Sequence, residues 1–184
     1  MDLADEDNHQ YSGFYPCRLP VWWGRVGDIG PHYQTDGVTG KRVVLRIEKR
    51  FTRFERFLAK ILRAPREIRR PLDQMNSMLW ELCDGSRDFQ SICRAMDEVF
   101  KENIAPAVDR TASGIDALKS RNLMTILEHP FNQKWNIGPG KTPVNQTLDD
   151  LTKKIEYDVE PRTHNEKNLI EAIPKESPPG DRSE

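Results

Sequence analysis

The chain has 184 residues, 36 % hydrophobic and 31 % charged, with a formal net charge of −1, which sets an expectation of one modest core and long polar segments. No apolar run approaches the roughly 20 residues that cross a bilayer, and the acidic start Met1-Asp2-Leu3-Ala4-Asp5-Glu6-Asp7 lacks the basic and apolar regions of a secretory signal. A cytoplasmic protein is therefore expected, with no transmembrane segment. The odd set Cys17, Cys83 and Cys93 fits buried thiols better than a disulfide framework.

In chain order, residues 1–19 read as a flexible acidic N-terminus and 20–128 as the folded domain. Val21-Trp22-Trp23-Gly24-Arg25-Val26 is a candidate strand whose aromatics would cover a small sheet. From Pro31 to Ile47 a hairpin is expected, turning at Asp36-Gly37-Val38-Thr39-Gly40, with Val43, Leu45 and Ile47 on one inward face. Phe51, Phe54, Phe57, Leu58, Ile61 and Leu62 recur at helical spacing against Arg53, Arg56, Lys60 and Arg63, an amphipathic helix with a basic back. Its apolar stripe fits core packing, a membrane-surface helix or a protein-docking face. Between Lys41 and Arg70 twelve basic residues stand against three acidic ones, a local excess of positive charge hidden by the net value.

Glu67-Ile68-Arg69-Arg70-Pro71-Leu72 is short, charged and interrupted by proline, the composition of an edge strand. Asp73 can cap a helix with Met75, Met78, Leu79 and Leu82 inward, ended by Gly85. Asp88 can cap a second helix that buries Phe89, Ile92, Met96, Val99 and Phe100. Pro106 suits the first turn of a third, with Val108, Thr111, Ala112, Ile115 and Leu118 inward and Asn122 as a left-handed stop. Gly114 inside that helix fits close approach by a neighbour. Leu123 to Leu127 is a last strand or wing. Residues 129–184, rich in Pro, Gly, Asn and Lys, read as a linker and tail. One short helix is expected in it near 147–157, from the capping pair Thr147 and Asp150 and the stripe Leu148, Leu151 and Ile155.

No catalytic constellation stands out. The four histidines are far apart in sequence, no Cys-x-x-Cys spacing occurs, and Gly138-Pro139-Gly140-Lys141-Thr142 lacks the strand and helix of a phosphate loop. Neither a metal nor a cofactor is expected, and a non-enzymatic role follows.

The hairpin, basic helix and edge strand, followed by three helices with Leu79-Trp80-Glu81-Leu82-Cys83-Asp84-Gly85 at the first break, resemble the PqqD family of peptide-binding chaperones, also called RiPP recognition elements. The likeness covers residues 41–127. Its best local matches are Leu72-Asp73, Trp80, Cys83-Asp84-Gly85, Ile92, Phe100 and Arg121-Asn122-Leu123, where the family tends to have glycine in place of Asn122. The resemblance implies an α+β fold: a winged helix-turn-helix with a small antiparallel N-terminal sheet and three helices, here enlarged by the basic helix. It also implies an adaptor that accepts the leader part of a precursor peptide as an added strand and presents it to a modifying enzyme, often a radical SAM protein. Mapped onto this chain, the peptide would lie along Arg66, Glu67, Ile68, Arg69, Arg70 and Leu72, against Val108, Thr111, Ala112 and Ile115 of the third helix. The alternative is a winged-helix nucleic-acid binder using the basic window, but the third helix mixes Arg110, Lys119 and Arg121 with Asp109 and Asp116, which suits a DNA reader poorly.

Overall fold

The computed structural model describes residues 8–31, 34, 36–49, 67–144, 146–150 and 155–167. The fold is α+β. Strand β1 (Tyr15–Arg18) pairs antiparallel with β5 (Met124–Leu127), and β2 (Trp22–Val26), β3 (Arg42–Glu48) and β4 (Glu67–Pro71) form an antiparallel sheet in that order. Three helices, α1 (Gln74–Leu82), α2 (Phe89–Phe100) and α3 (Ala107–Lys119), pack together on one face of this sheet. The basic helix expected over 51–63 lies outside the described residues.

The helices begin where side-chain caps put them. An Asp73 carboxylate oxygen accepts the Asn76 N–H at 2.7 Å, and one of Asp88 accepts the Ser91 N–H at 2.8 Å. Pro106 occupies the N-cap position of α3, and Asn122 has a φ of 55°, the left-handed stop expected from sequence. Gly114 is a point of close approach: a Cβ there would lie 2.6 Å from Cδ2 of Leu79. The core between helices and sheet is filled by Val43, Leu45, Leu79, Ile92, Met96 and Ile115, with Trp23 edge-on to Trp80 at 6.2 Å.

Three sequence expectations are corrected. The strand that pairs with β3 is β2, across a loop at 27–41, rather than a near neighbour across a tight turn at Asp36–Gly40. That loop is held from outside: Glu81 accepts the backbone N–H groups of Thr39 and Gly40 at 2.9 and 3.2 Å. Nor is only one face of β3 buried, because Val44 and Arg46 are buried as well as Val43 and Leu45. The second face carries Trp22, with the Arg46 guanidinium 4.7 Å from its ring and Tyr157 edge-on to it at 5.1 Å, so part of the chain read as tail covers that side.

The third correction concerns both ends. Among the described residues before Pro20, 8–19, the chain is anchored: β1 begins at Tyr15, and buried Tyr11 bonds Asp116 and accepts from Lys119 Nζ at 2.6 Å. Beyond His129, Phe131 and Ile137 are buried against Cys17, and Glu166 is inaccessible. Of the helix expected near 147–157, residues 147–150 and 155–157 form no helical turn, and 151–154 lie outside the described residues. A segment without secondary structure of its own can still be fixed when its side chains fill core positions.

Candidate functional site

β4 is an edge strand, and among the described residues no strand pairs with its outer side. The register with β3 sorts its side chains. Ile68 and Arg70 share the helix-side face with Ile47 and Leu45, whereas Glu67 and Arg69 share the opposite face with Glu48 and Arg46. Proline at the last position of the strand, Pro71, fits an edge, where a missing N–H costs the sheet nothing if it points outward.

Between the end of β4 and the C-terminal half of α3 lies a groove of about 260 Å³. Arg70, Pro71 and Leu72 form one wall, Asp73 and Asn76 from the start of α1 form the floor, and Gly114, Ala117, Leu118 and Arg121 form the other wall. Its lining mixes apolar side chains with the guanidinium groups of Arg70 and Arg121 and the polar side chains of Asp73 and Asn76.

The expected site residues divide under this geometry. Arg70 and Leu72 line the groove, Ile68 stands beside it 48 % exposed, and Arg66 lies outside the described residues. Glu67 is buried on the other face, where Arg46 Nε reaches both carboxylate oxygens at 3.0 Å and Arg69 Nε reaches one at 2.7 Å. Burial pushes the Glu67 carboxyl up, but the hydrogen bonds and charges of Arg46 and Arg69 outweigh it and hold the carboxyl below its usual range. Glu67 and Arg69 are thus turned away from the groove. Val108, Thr111, Ala112 and Ile115 are all at most 5 % exposed. They belong to the core, because α3 has a single apolar stripe and the packing against α1 and α2 takes it. The helix face that does line the groove is the next strip, Gly114, Ala117, Leu118 and Arg121, spaced by three and four residues.

A second constellation was not expected from sequence. Arg18, Arg25, Glu81 and Glu166 are completely buried around Trp23 and Trp80. Arg25 Nε donates to Glu81 at 2.6 Å, Arg18 donates to Glu166 at 3.1 Å, and a second Arg25 nitrogen reaches both Glu166 oxygens at 3.3 Å. Both guanidinium carbons lie 4.7 Å from the Trp23 ring. The signal was present as charged residues inside apolar runs at Arg18, Arg25 and Glu81, but Glu166, the partner of the two arginines, is 148 and 141 residues away from them. The cluster joins β1, β2, α1 and the C-terminal segment. Next to it the Cys17 thiol is pushed up to about 12 by burial, which outweighs the pull of Arg18. Burial raises Cys83 as well, and all three cysteines are buried and outside any disulfide.

No family model, no curated protein and no solved structure matches the chain. Among the described residues no helix is long and apolar enough to cross a membrane.

Proposed function

We propose that this chain is a non-enzymatic peptide-binding adaptor of the PqqD type, built on an enlarged winged helix-turn-helix. It takes up the leader part of a precursor peptide along the β4 edge and presents it to a modifying enzyme, such as a radical SAM protein, in the cytoplasm. The observation that carries this reading is the groove between Arg70–Leu72 and α3. An extended peptide there would gain main-chain hydrogen bonds from an edge strand and side-chain contacts from the helix wall, the two components of strand addition. Arg70 and Arg121 in its facing walls favour acidic side chains in the ligand.

Nucleic-acid binding is supported less well. A winged-helix reader needs cations along the exposed face of its recognition helix, yet α3 exposes Asp109 and Asp116 beside Arg110, and Lys119 is engaged with Tyr11.

The reading is tested by selecting peptides from a displayed random library on the full chain and on Ala117→Trp, whose exposed side chain would fill the groove. Enriched sequences that alternate acidic and apolar residues, and that lose affinity by about tenfold or more on Ala117→Trp, are expected. No enrichment, or equal binding by the variant, would overturn the assignment. Nucleic acid that is retained at low salt and released as salt rises would support the winged-helix regulator instead.

A further inference from the structure

The groove does not end at α3. Arg121 and Leu123, which line it, also line a second cavity of about 920 Å³. Its apolar lining includes Val21 just before β2, Ile47 of β3 and Trp135 from the segment after β5, and the exposed Lys134 also lines it. The first groove has room for backbone and short side chains, whereas the second has the size of small-ligand sites, roughly 300–1,000 Å³.

Charge decides what kind of chain could follow this path. Arg70, Arg121 and Lys134 are exposed along it, and neither Arg70 nor Lys134 makes an ion pair among the described residues. The two acids that line it are engaged. Asp73 accepts from the backbone and side chain of Asn76 at 2.7 and 2.8 Å, and Glu48 accepts the Thr147 N–H at 3.2 Å. Three cations, Arg70, Arg121 and Lys134, against the two carboxylates Asp73 and Glu48 leave a small net positive charge along the trough, which leads into a chamber of mixed lining with an apolar part at Val21, Ile47 and Trp135. Trp135 is fixed in that chamber: its indole nitrogen donates to the Arg18 carbonyl at 2.8 Å and its ring leans on Phe131 at 4.9 Å. It is a wall for a side chain rather than a free stacking platform for a base.

We propose that the second cavity is a specificity pocket. It receives one large apolar side chain, aromatic or leucine-like, of an acidic peptide whose preceding stretch lies in the groove between Arg70 and Arg121. This inference rests on the peptide-binding reading and adds the anchor that sets which peptides are chosen. Burial of one large apolar side chain corresponds to about tenfold or more in affinity.

The test uses fluorescent synthetic peptides titrated against the full chain by polarisation. One alternates glutamate and valine and is short enough to occupy only the groove; two others carry a tryptophan extension, one at each end. One extended peptide is expected to bind about tenfold more tightly than the short one. Thr142→Trp, an exposed substitution at the second cavity, should remove that gain and leave the short peptide's affinity unchanged, whereas Ala117→Trp should weaken both. Equal affinity of short and extended peptides, or a gain that survives Thr142→Trp, would overturn the pocket while leaving the adaptor reading standing. Failure of every peptide to bind would overturn both, and so would displacement of bound peptide by single-stranded RNA at physiological salt.

Discussion

Glu166 is the joint between the C-terminal segment and the core, and its removal gives the sharpest test of this architecture. Its carboxylate receives Arg18 at 3.1 Å, Arg25 at 3.3 Å and the backbone N–H of Arg162 at 2.7 Å, with no solvent exposure on the Glu or either Arg side chain. In Glu166→Ala, Arg25 keeps Glu81 as a partner but Arg18 loses its ion pair in a site closed to water. Leaving a buried charge uncompensated costs about 3–5 kcal/mol, a large part of the roughly 5–15 kcal/mol that stabilises a domain. For a chain of this size that corresponds to a melting temperature lower by roughly 10 °C. Urea unfolding followed by tryptophan fluorescence is the assay, since Trp23 and Trp80 lie beneath the cluster. Glu160→Ala is the control: its carboxylate pairs with Arg162 at 3.0 Å but is 68 % exposed, and its loss should change stability by less than about 1 kcal/mol. A Glu166→Ala loss no larger than the control's would show that the C-terminal segment does not hold the core.

Three further outcomes are expected. Because burial holds Cys17 near 12 and raises Cys83, and Cys93 is equally inaccessible, a thiol reagent at pH 8 should leave the folded chain unlabelled and label all three cysteines in urea; fast labelling without denaturant would contradict the packing around β1 and α1. Burial would raise the Asp158 carboxyl, but bonds from Lys41, the Glu160 N–H and Arg162 outweigh it and lower it from 3.8 to about 2. A depressed carboxyl contributes stability above its ordinary titration range and loses it as pH falls towards about 2. Melting temperature should therefore drop over that acid interval, and less steeply in Asp158→Asn. Gly85 sits at φ 76° with room for no Cβ, which would fall 2.5 Å from the Phe131 Cβ. Gly85→Ala should destabilise by about 2 kcal/mol or more in chemical denaturation, and a neutral effect would mean that the Phe131 segment yields freely.

The helices were legible because their signals are local. Asp73, Asp88 and Asn122 act on backbone groups within three residues, so short-range chemistry is enough to place the helix ends. The edge character of β4 was legible for a similar reason, from charge and Pro71 within one short run. The groove was half legible. Arg70 and Leu72, expected on the strand side, do line the groove, but its helix wall was placed on residues that the core claims, since sequence shows one apolar stripe on α3 and not what lies opposite it.

Strand pairing and the role of the tail needed tertiary structure. Pairing of β2 with β3 across the 27–41 loop is fixed by Glu81 on a helix forty residues further on, and no local turn rule contains that contact. Composition made 129–184 look like linker because Pro, Gly and Asn prevent regular elements, yet burial depends on what a side chain meets and not on the secondary structure that carries it. By itself the sequence determined the helices, their caps and the positive stretch near the sheet edge. The tertiary structure alone decided that Glu166 returns to neutralise Arg18 and Arg25, and that Trp135 closes the cavity beside Arg121, because each joins residues whose separation along the chain erases any local pattern.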